Sequence, residues 1–223
     1  MRQDEAQGAR SKHAEKADKA PTGEVVGVSC PVAPHLPDEL IPRIQVYLAL
    51  LDRWNQTHAL TSLAPADRME ELILDSTALF PLAMQLPTGT RVVDFGSGMG
   101  IPAVPLALFR PDLDIRAIDK AKKKMAFLRQ VVMELGLPNL TVLEGRAEDI
   151  PPQEAGAGTA KAAGSPTLLA AWWKRHGQKG APLWALKGPA AESEAIPDGW
   201  ACRFHPYHLP SRGLRQILEL YEP

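Results

Sequence analysis

The densest chemical signal in this 223-residue chain is Asp94-Phe95-Gly96-Ser97-Gly98-Met99-Gly100. It follows the apolar run RVVDF and precedes a helical pattern, and glycines at such a junction let backbone amides approach a ligand closely. A dinucleotide fingerprint needs its third glycine where Ile101 stands, so the spacing favours a compact nucleoside over a pyrophosphate. Asp119 closes the next apolar run about 20 residues on, where a carboxylate accepts both hydroxyls of a ribose. The dipole of the helix that follows would also favour an acid there, and the two roles are compatible. Arg146-Ala147-Glu148 ends the third run, where the base of such a ligand would lie. A cap or a surface ion pair accounts for Glu148 as well.

A second cluster is basic. Arg116, Lys120, Lys122, Lys123, Lys124 and Arg129 set six positive charges against Asp119 alone between positions 116 and 129. A solvated helix face explains such a run, and so do phosphate contacts beside the ligand cleft. Lys187-Gly188 ends a later strand on the same edge of the sheet, which would aim that lysine into the cleft. Cys202, His205 and His208 have a metal-like spacing, but strand alternation turns Cys202 and His205 to opposite faces and Pro206 interrupts the segment. No metal site is expected.

The elements that must position these residues follow from periodicity. Leu40, Ile41, Ile44, Tyr47, Leu48, Leu51 and Trp54 recur at helical spacing, and a second helical stretch covers about 67 to 84, with Asp67 as its N-cap. From Arg91 short apolar runs alternate with helices, the pattern of a parallel α/β sheet. The expected strands are 91–95, 114–119, 140–145 and 182–188, with two more in the tail, and the expected helices are 102–109, 120–136 and 165–177. Between Glu148 and Ser165 the alternation demands a fourth strand, yet EAGAGTAKAAG holds no Val, Ile or aromatic residue. Such a strand must be held by its neighbours, be short, or be missing.

Composition narrows the classes. The chain is 45% hydrophobic and 23% charged, enough for one main core. No run of about 18 apolar residues suggests a membrane span, and MRQDEAQGAR lacks a signal-peptide core, so a cytoplasmic protein is expected. Two distant cysteines exclude a disulfide scaffold. Pro21, Pro31 and Pro34, with Pro37 at the boundary, and mixed charges make residues 1–36 a flexible leader, followed by a helical module at 37–88 and the α/β domain at 89–223. The net charge of -1 excludes a wholly basic coat. By segment, however, residues 37–90 hold three basic and seven acidic side chains, 91–150 nine and eight, and 151–223 eight and six. Positive charge therefore gathers toward the cleft.

Gly-x-Gly-x-Gly after a strand ending in Asp resembles the first motif of S-adenosyl-L-methionine (SAM) methyltransferases. For an exocyclic adenine nitrogen the fourth strand would end in Asn/Asp-Pro-Pro-aromatic, but here it reads Thr159-Ala160-Lys161-Ala162, and DIPPQ at 149–153 reads as a proline loop. For a pyrimidine carbon a cysteine nucleophile is needed, and neither Cys30 nor Cys202 is placed for it. An acceptor that already holds a lone pair, such as guanine N7, needs only alignment.

Several strings together resemble the RsmG (GidB) family, which methylates a guanine N7 in bacterial 16S ribosomal RNA: YLALLDRWNQTHALTSL (47–63), LILDS (72–76) and DFGSGMGIPAVPLAL (94–108), then Asp119, Lys123, Arg146-Ala147-Glu148, Ala185-Leu186-Lys187-Gly188 and Arg215 in the family's order. The resemblance covers roughly 38–220. It implies a Rossmann-like class I SAM-dependent methyltransferase fold, a seven-stranded and mostly parallel sheet with an N-terminal helical module. It also implies a cofactor site of Asp94, Gly96, Gly98, Gly100, Ile101, Asp119, Ala147, Glu148 and Lys161. Lys122, Lys123, Lys124, Lys187 and Arg215 would meet RNA, Lys161 and Lys187 are the candidates nearest the chemistry, and a monomer acting on 16S rRNA or the small subunit is expected. Three departures stand out: Lys161 for the family's arginine, Ala59 for an asparagine, and Ala103 for a glycine. Rival readings are a methyltransferase of a small molecule or protein, or a SAM-binding protein without catalysis.

Overall fold

The computed structural model describes residues 24–28 and 33–223. One sheet runs through the chain in the order β1-β7-β8-β6-β5-β2-β3-β4, with strands β1 (Glu24–Val28), β2 (Arg91–Phe95), β3 (Asp114–Asp119), β4 (Leu140–Glu144), β5 (Ala157–Lys161), β6 (Leu183–Lys187), β7 (Ala201–Leu209) and β8 (Gly213–Tyr221). Pairings are parallel except those of β8 with β6 and β7. The seven strands expected from the sequence are β2 to β8. β1 is an addition, since residues 24–28 of the expected leader pair with β7. Residues 1–23 and 29–32 of that leader, Cys30 included, lie outside the described residues.

Helices cover both faces. On one lie α1 (Ile41–His58), the helical stretch α2 (Pro65–Arg68), α3 (Asp75–Thr77) and α4 (Phe80–Ala83), then α5 (Ala103–Phe109) and α6 (Lys122–Glu134). α7 (Pro166–His176) covers the other. The expected helical module has no core of its own. Ile44, Tyr47, Leu51, Ile73 and Leu79 pack in one cluster with Val92, Ile115, Phe127 and Leu128, so it forms a layer on the sheet. The stretch after α1 is interrupted by a π-helical segment, Met69–Leu74, and Asp67 does not cap it. Ala64 is the N-cap with Pro65 next, which suits the missing proline N–H, while Asp67 pairs with Arg212.

The weak fourth strand exists as β5, five residues long and buried along its first four. It is held by β2 and β6 on either side, and its small residues answer a packing demand. A Cβ on Gly158 would meet Leu183 at 2.7 Å and the Trp173 ring at 2.8 Å. Intrinsic propensity points the wrong way here because a tryptophan lies directly across the strand.

The asparagine missing from the end of α1 has a structural meaning. Ala59, the C-cap, is left-handed at φ 45° and ψ 53°, a conformation that suits Gly or Asn. Ala59→Asn or Ala59→Gly is expected to raise unfolding free energy by roughly 0.5–1 kcal/mol in denaturant titrations. A loss of stability in both variants would contradict this account of the cap.

Candidate active site

Connections leave β2 in opposite directions: the chain steps to β3 and β4 on one side, then returns to β5 on the other. Open α/β sheets bind ligands at such a switch point, outside the carboxyl ends of the strands. A cavity of about 350 Å³ lies there. Gly96 bounds it after β2, Ile118, Asp119 and Lys120 at the end of β3, Gly145 to Glu148 after β4, Ala163 after β5, and Leu168 and Trp172 from α7.

The glycine loop is built for backbone approach. Gly96, Gly98 and Gly100 all have positive φ (64°, 57° and 90°). A Cβ on Gly96 would come within 2.8 Å of the Ala163 Cβ, and one on Gly100 within 2.5 Å of Leu128. Gly96 therefore borders the cavity, while Gly100 lets the loop settle on α6. Asp119 ties loop to strand: its carboxylate accepts from Gly98 N at 2.9 Å and from Ala121 N, at the start of α6, at 2.8 Å. The structural role of this acid is thus real. Each oxygen keeps a further lone pair, and the residue lines the cavity.

Of the nine residues that resemblance marks for the cofactor, Gly96, Asp119, Ala147 and Glu148 line the cavity. Gly98, Gly100 and Ile101 shape the turn from behind. Asp94 is buried beneath it, with Thr159 Oγ1 donating to it at 2.8 Å. Burial pushes its carboxyl up to about 7, against the opposing pull of the Ser97 and Thr159 hydroxyls. Between the ordinary value of 3.8 and that value the folded chain holds a proton the unfolded chain has lost. The contribution to stability is therefore full in acid and declines as pH rises to about 7. Asp94→Asn is expected to flatten this decline, measured as urea midpoints from about pH 4.5 to 7.5. An unchanged slope would contradict the burial argument.

Lys161 lies elsewhere than expected. Its ammonium binds the Asp75 carboxylate and the Glu71 carbonyl, and Tyr207 donates to the other Asp75 oxygen at 2.7 Å. Burial, then the Asp75 charge, drives the Tyr207 hydroxyl far above the usual phenol range. Asp75 and Tyr207, unremarked in the sequence apart from Asp75's place in LILDS, thereby lock the helical layer to the sheet edge. Lys187 and Arg215 also have acidic partners: Lys187 Nζ bonds Glu194 at 2.8 Å and Gly164 O at 2.9 Å, and Arg215 faces Glu71 at 3.5 Å. By contrast, Lys120, Lys122 and Lys123 are exposed, and with Lys124 they form no ion pair among the described residues. Cys202 is fully buried and His205 bonds Glu219 at 2.9 Å.

The wall of the cavity that sequence reasoning missed comes from α7. Trp172 Nε1 donates to Glu148 Oε1 at 2.8 Å, and that bond holds the exposed Glu148 carboxyl below the usual range. Two carboxylates, Asp119 and Glu148, and a flat apolar wall around a glycine turn fit an adenosine-bearing cofactor.

Sheet order and cavity position define the class I methyltransferase fold, and solved structures agree. A SAM dependent methyltransferase from Aquifex aeolicus superposes with a TM-score of 0.52 at 20% identity, over 69% of this chain and 92% of that one. TrmN from Thermus thermophilus gives 0.54 at 22%, over 77% and 52%. Within that fold, residues 40–212 match the family GidB, described as rRNA small subunit methyltransferase G, and the chain belongs to it. Relatives named Ribosomal RNA small subunit methyltransferase G include those of Methylobacillus flagellatus, 37% identical over 71% of this chain and 77% of that one, and of Bordetella avium, 35% over 77% and 80%. The Chromobacterium violaceum relative is 45% identical over 55% of this chain, which spans 58% of that relative's length.

Proposed function

We propose that this chain transfers the methyl group of SAM to N7 of a guanosine in 16S ribosomal RNA, acting in the cytoplasm as a monomer. The observation that carries the reading is the cavity at the switch point, bounded by Gly96, Asp119 and Glu148 and opening beside a lysine-rich helix start. Asp119 would take the ribose hydroxyls, and Ala147 and Glu148 would meet the adenine. When bound, SAM supplies an electrophilic methyl on a sulfonium.

Guanine N7 already carries the attacking lone pair, so no side chain has to remove a proton before attack. That matches a cleft edge where Lys161 and Lys187 are both engaged by carboxylates. Their part is to hold Asp75 and the 188–194 segment in place rather than to act as bases. Lys120, Lys122, Lys123 and Lys124 would neutralise phosphates and so orient the RNA against the cavity mouth. The acceptor is tested by incubating the purified chain and labelled SAM with small-subunit RNA from cells lacking the gene, with protein and small-molecule extracts as alternatives. Label in the RNA fraction is expected. Label confined to the others would replace the RNA reading.

A further inference from the structure

Helix α7 grips the loop that follows β4 at three points. Leu168, Trp172 and His176 are spaced by four and share one stripe of the helix. Trp172 Nε1 donates to Glu148 Oε1, and His176 Nε2 lies 2.8 Å from Ala147 O. The carbonyl can only accept, so Nε2 carries the proton, in keeping with burial that lowers the imidazole pKa. Arg175 Nε donates to Ile150 O at 3.2 Å. From beneath, Phe95 packs against both rings, 5.7 Å from Trp172 and 5.6 Å from His176.

Glu148 is exposed, and an exposed glutamate is ordinarily free to rotate. Here the indole fixes it. One N–H on Oε1 leaves a carboxylate with further acceptor sites and no donor, all at the rim of the cavity that Trp172 also walls. We propose that Trp172 is the specificity-determining positioning residue of this cavity, holding Glu148 so that it accepts from a purine 6-amino group and rejects a 6-carbonyl. This rests on the cofactor reading above, and adds how the site would tell an adenosyl from an inosyl ligand. A fixed acceptor excludes the wrong partner because an acceptor facing a carbonyl oxygen leaves both groups desolvated and unpaired.

The test is calorimetry on the full chain with S-adenosylhomocysteine and S-inosylhomocysteine, which differ at purine position 6. The chain is expected to prefer the adenosyl ligand by about tenfold or more. Trp172→Phe keeps an aromatic wall but frees the carboxylate, so the preference should fall to within about threefold. In Glu148→Gln the amide oxygen stays on the indole and its NH₂ faces the purine, so the preference should invert. In Glu148→Gln/Trp172→Phe the inversion should vanish. A ratio unmoved by Trp172→Phe, or no inversion in Glu148→Gln, overturns the proposal. Because Glu148→Gln leaves the Trp172 ring in place, it decides the matter even where the phenylalanine variant does not fold. If the unsubstituted chain binds neither ligand, the cofactor reading falls and the proposal with it. If it binds the adenosyl ligand with discrimination independent of Trp172, only the proposal falls.

Discussion

Gly96→Asp is expected to weaken SAM binding by a factor on the order of a hundred or more, because several unfavourable terms act at one place. Position 96 has φ 64°, where an L side chain is strained. Its Cβ would lie 2.8 Å from the Ala163 Cβ, so the loop after β5 must move, and Ala163 lines the same cavity. The new carboxylate would also join Asp119 and Glu148 around one small space, and like charges there repel. Gly98→Ala is the informative control. It meets nothing closer than Lys124 Cδ at 3.7 Å, so it carries mainly the backbone strain of its φ and should lose far less affinity. Calorimetry showing Gly96→Asp with unchanged affinity would remove the cofactor assignment. Equal losses in both variants would mean that the loop matters only for its backbone shape.

Reversing Lys122, Lys123 and Lys124 to Glu is expected to lower RNA affinity by about ten- to a hundredfold at moderate salt. It should also reduce the slope of log affinity against log salt by about 2, as loss of three single-strand phosphate contacts would. The structure adds a second readout. These lysines occupy the first turn of α6, which has no acidic residue, and the helix macrodipole disfavours cations there by some tenths of a kcal/mol each. No ion pair to any of the three among the described residues offsets that cost. The triple variant should therefore melt at or above the temperature of the unsubstituted chain while binding RNA worse. A solvated face with no partner predicts the same melting gain with an identical salt slope, and that result would end the phosphate reading.

Much of this site is legible in the order of residues because a parallel α/β sheet turns sequence order into spatial order. Each strand's last residues meet at one edge, so Gly96, Asp119 and Ala147-Glu148 could be brought together on paper from strand ends alone. What escaped was everything set by side chains that cross between elements. Trp172 reads as one apolar position of a capped helix, and nothing in SPTLLAAWWKRHG says which of its two tryptophans reaches Glu148. Lys161 points at the edge by strand position, yet Asp75, 86 residues earlier, turns it aside. Strand β5 looked improbable because propensity scales count the strand's own residues and not the Trp173 ring packed on Gly158. Strand position offers Lys187 to RNA and the family resemblance offers Arg215, and only the structure brings Glu194 and Glu71 to them as acidic partners.

Transfer to guanine N7 of small-subunit RNA leaves a chemically distinctive product: borohydride reduces the cationic imidazolium ring of N7-methylguanine, the reduced base is lost from the ribose, and aniline then cleaves the strand at that site. Small-subunit RNA from cells with and without the gene, and RNA from the latter treated with purified chain and SAM, should be reduced, cleaved with aniline and mapped. One cleavage band is expected, present in the first sample, absent in the second and restored in the third. Identical patterns in all three would contradict that transfer.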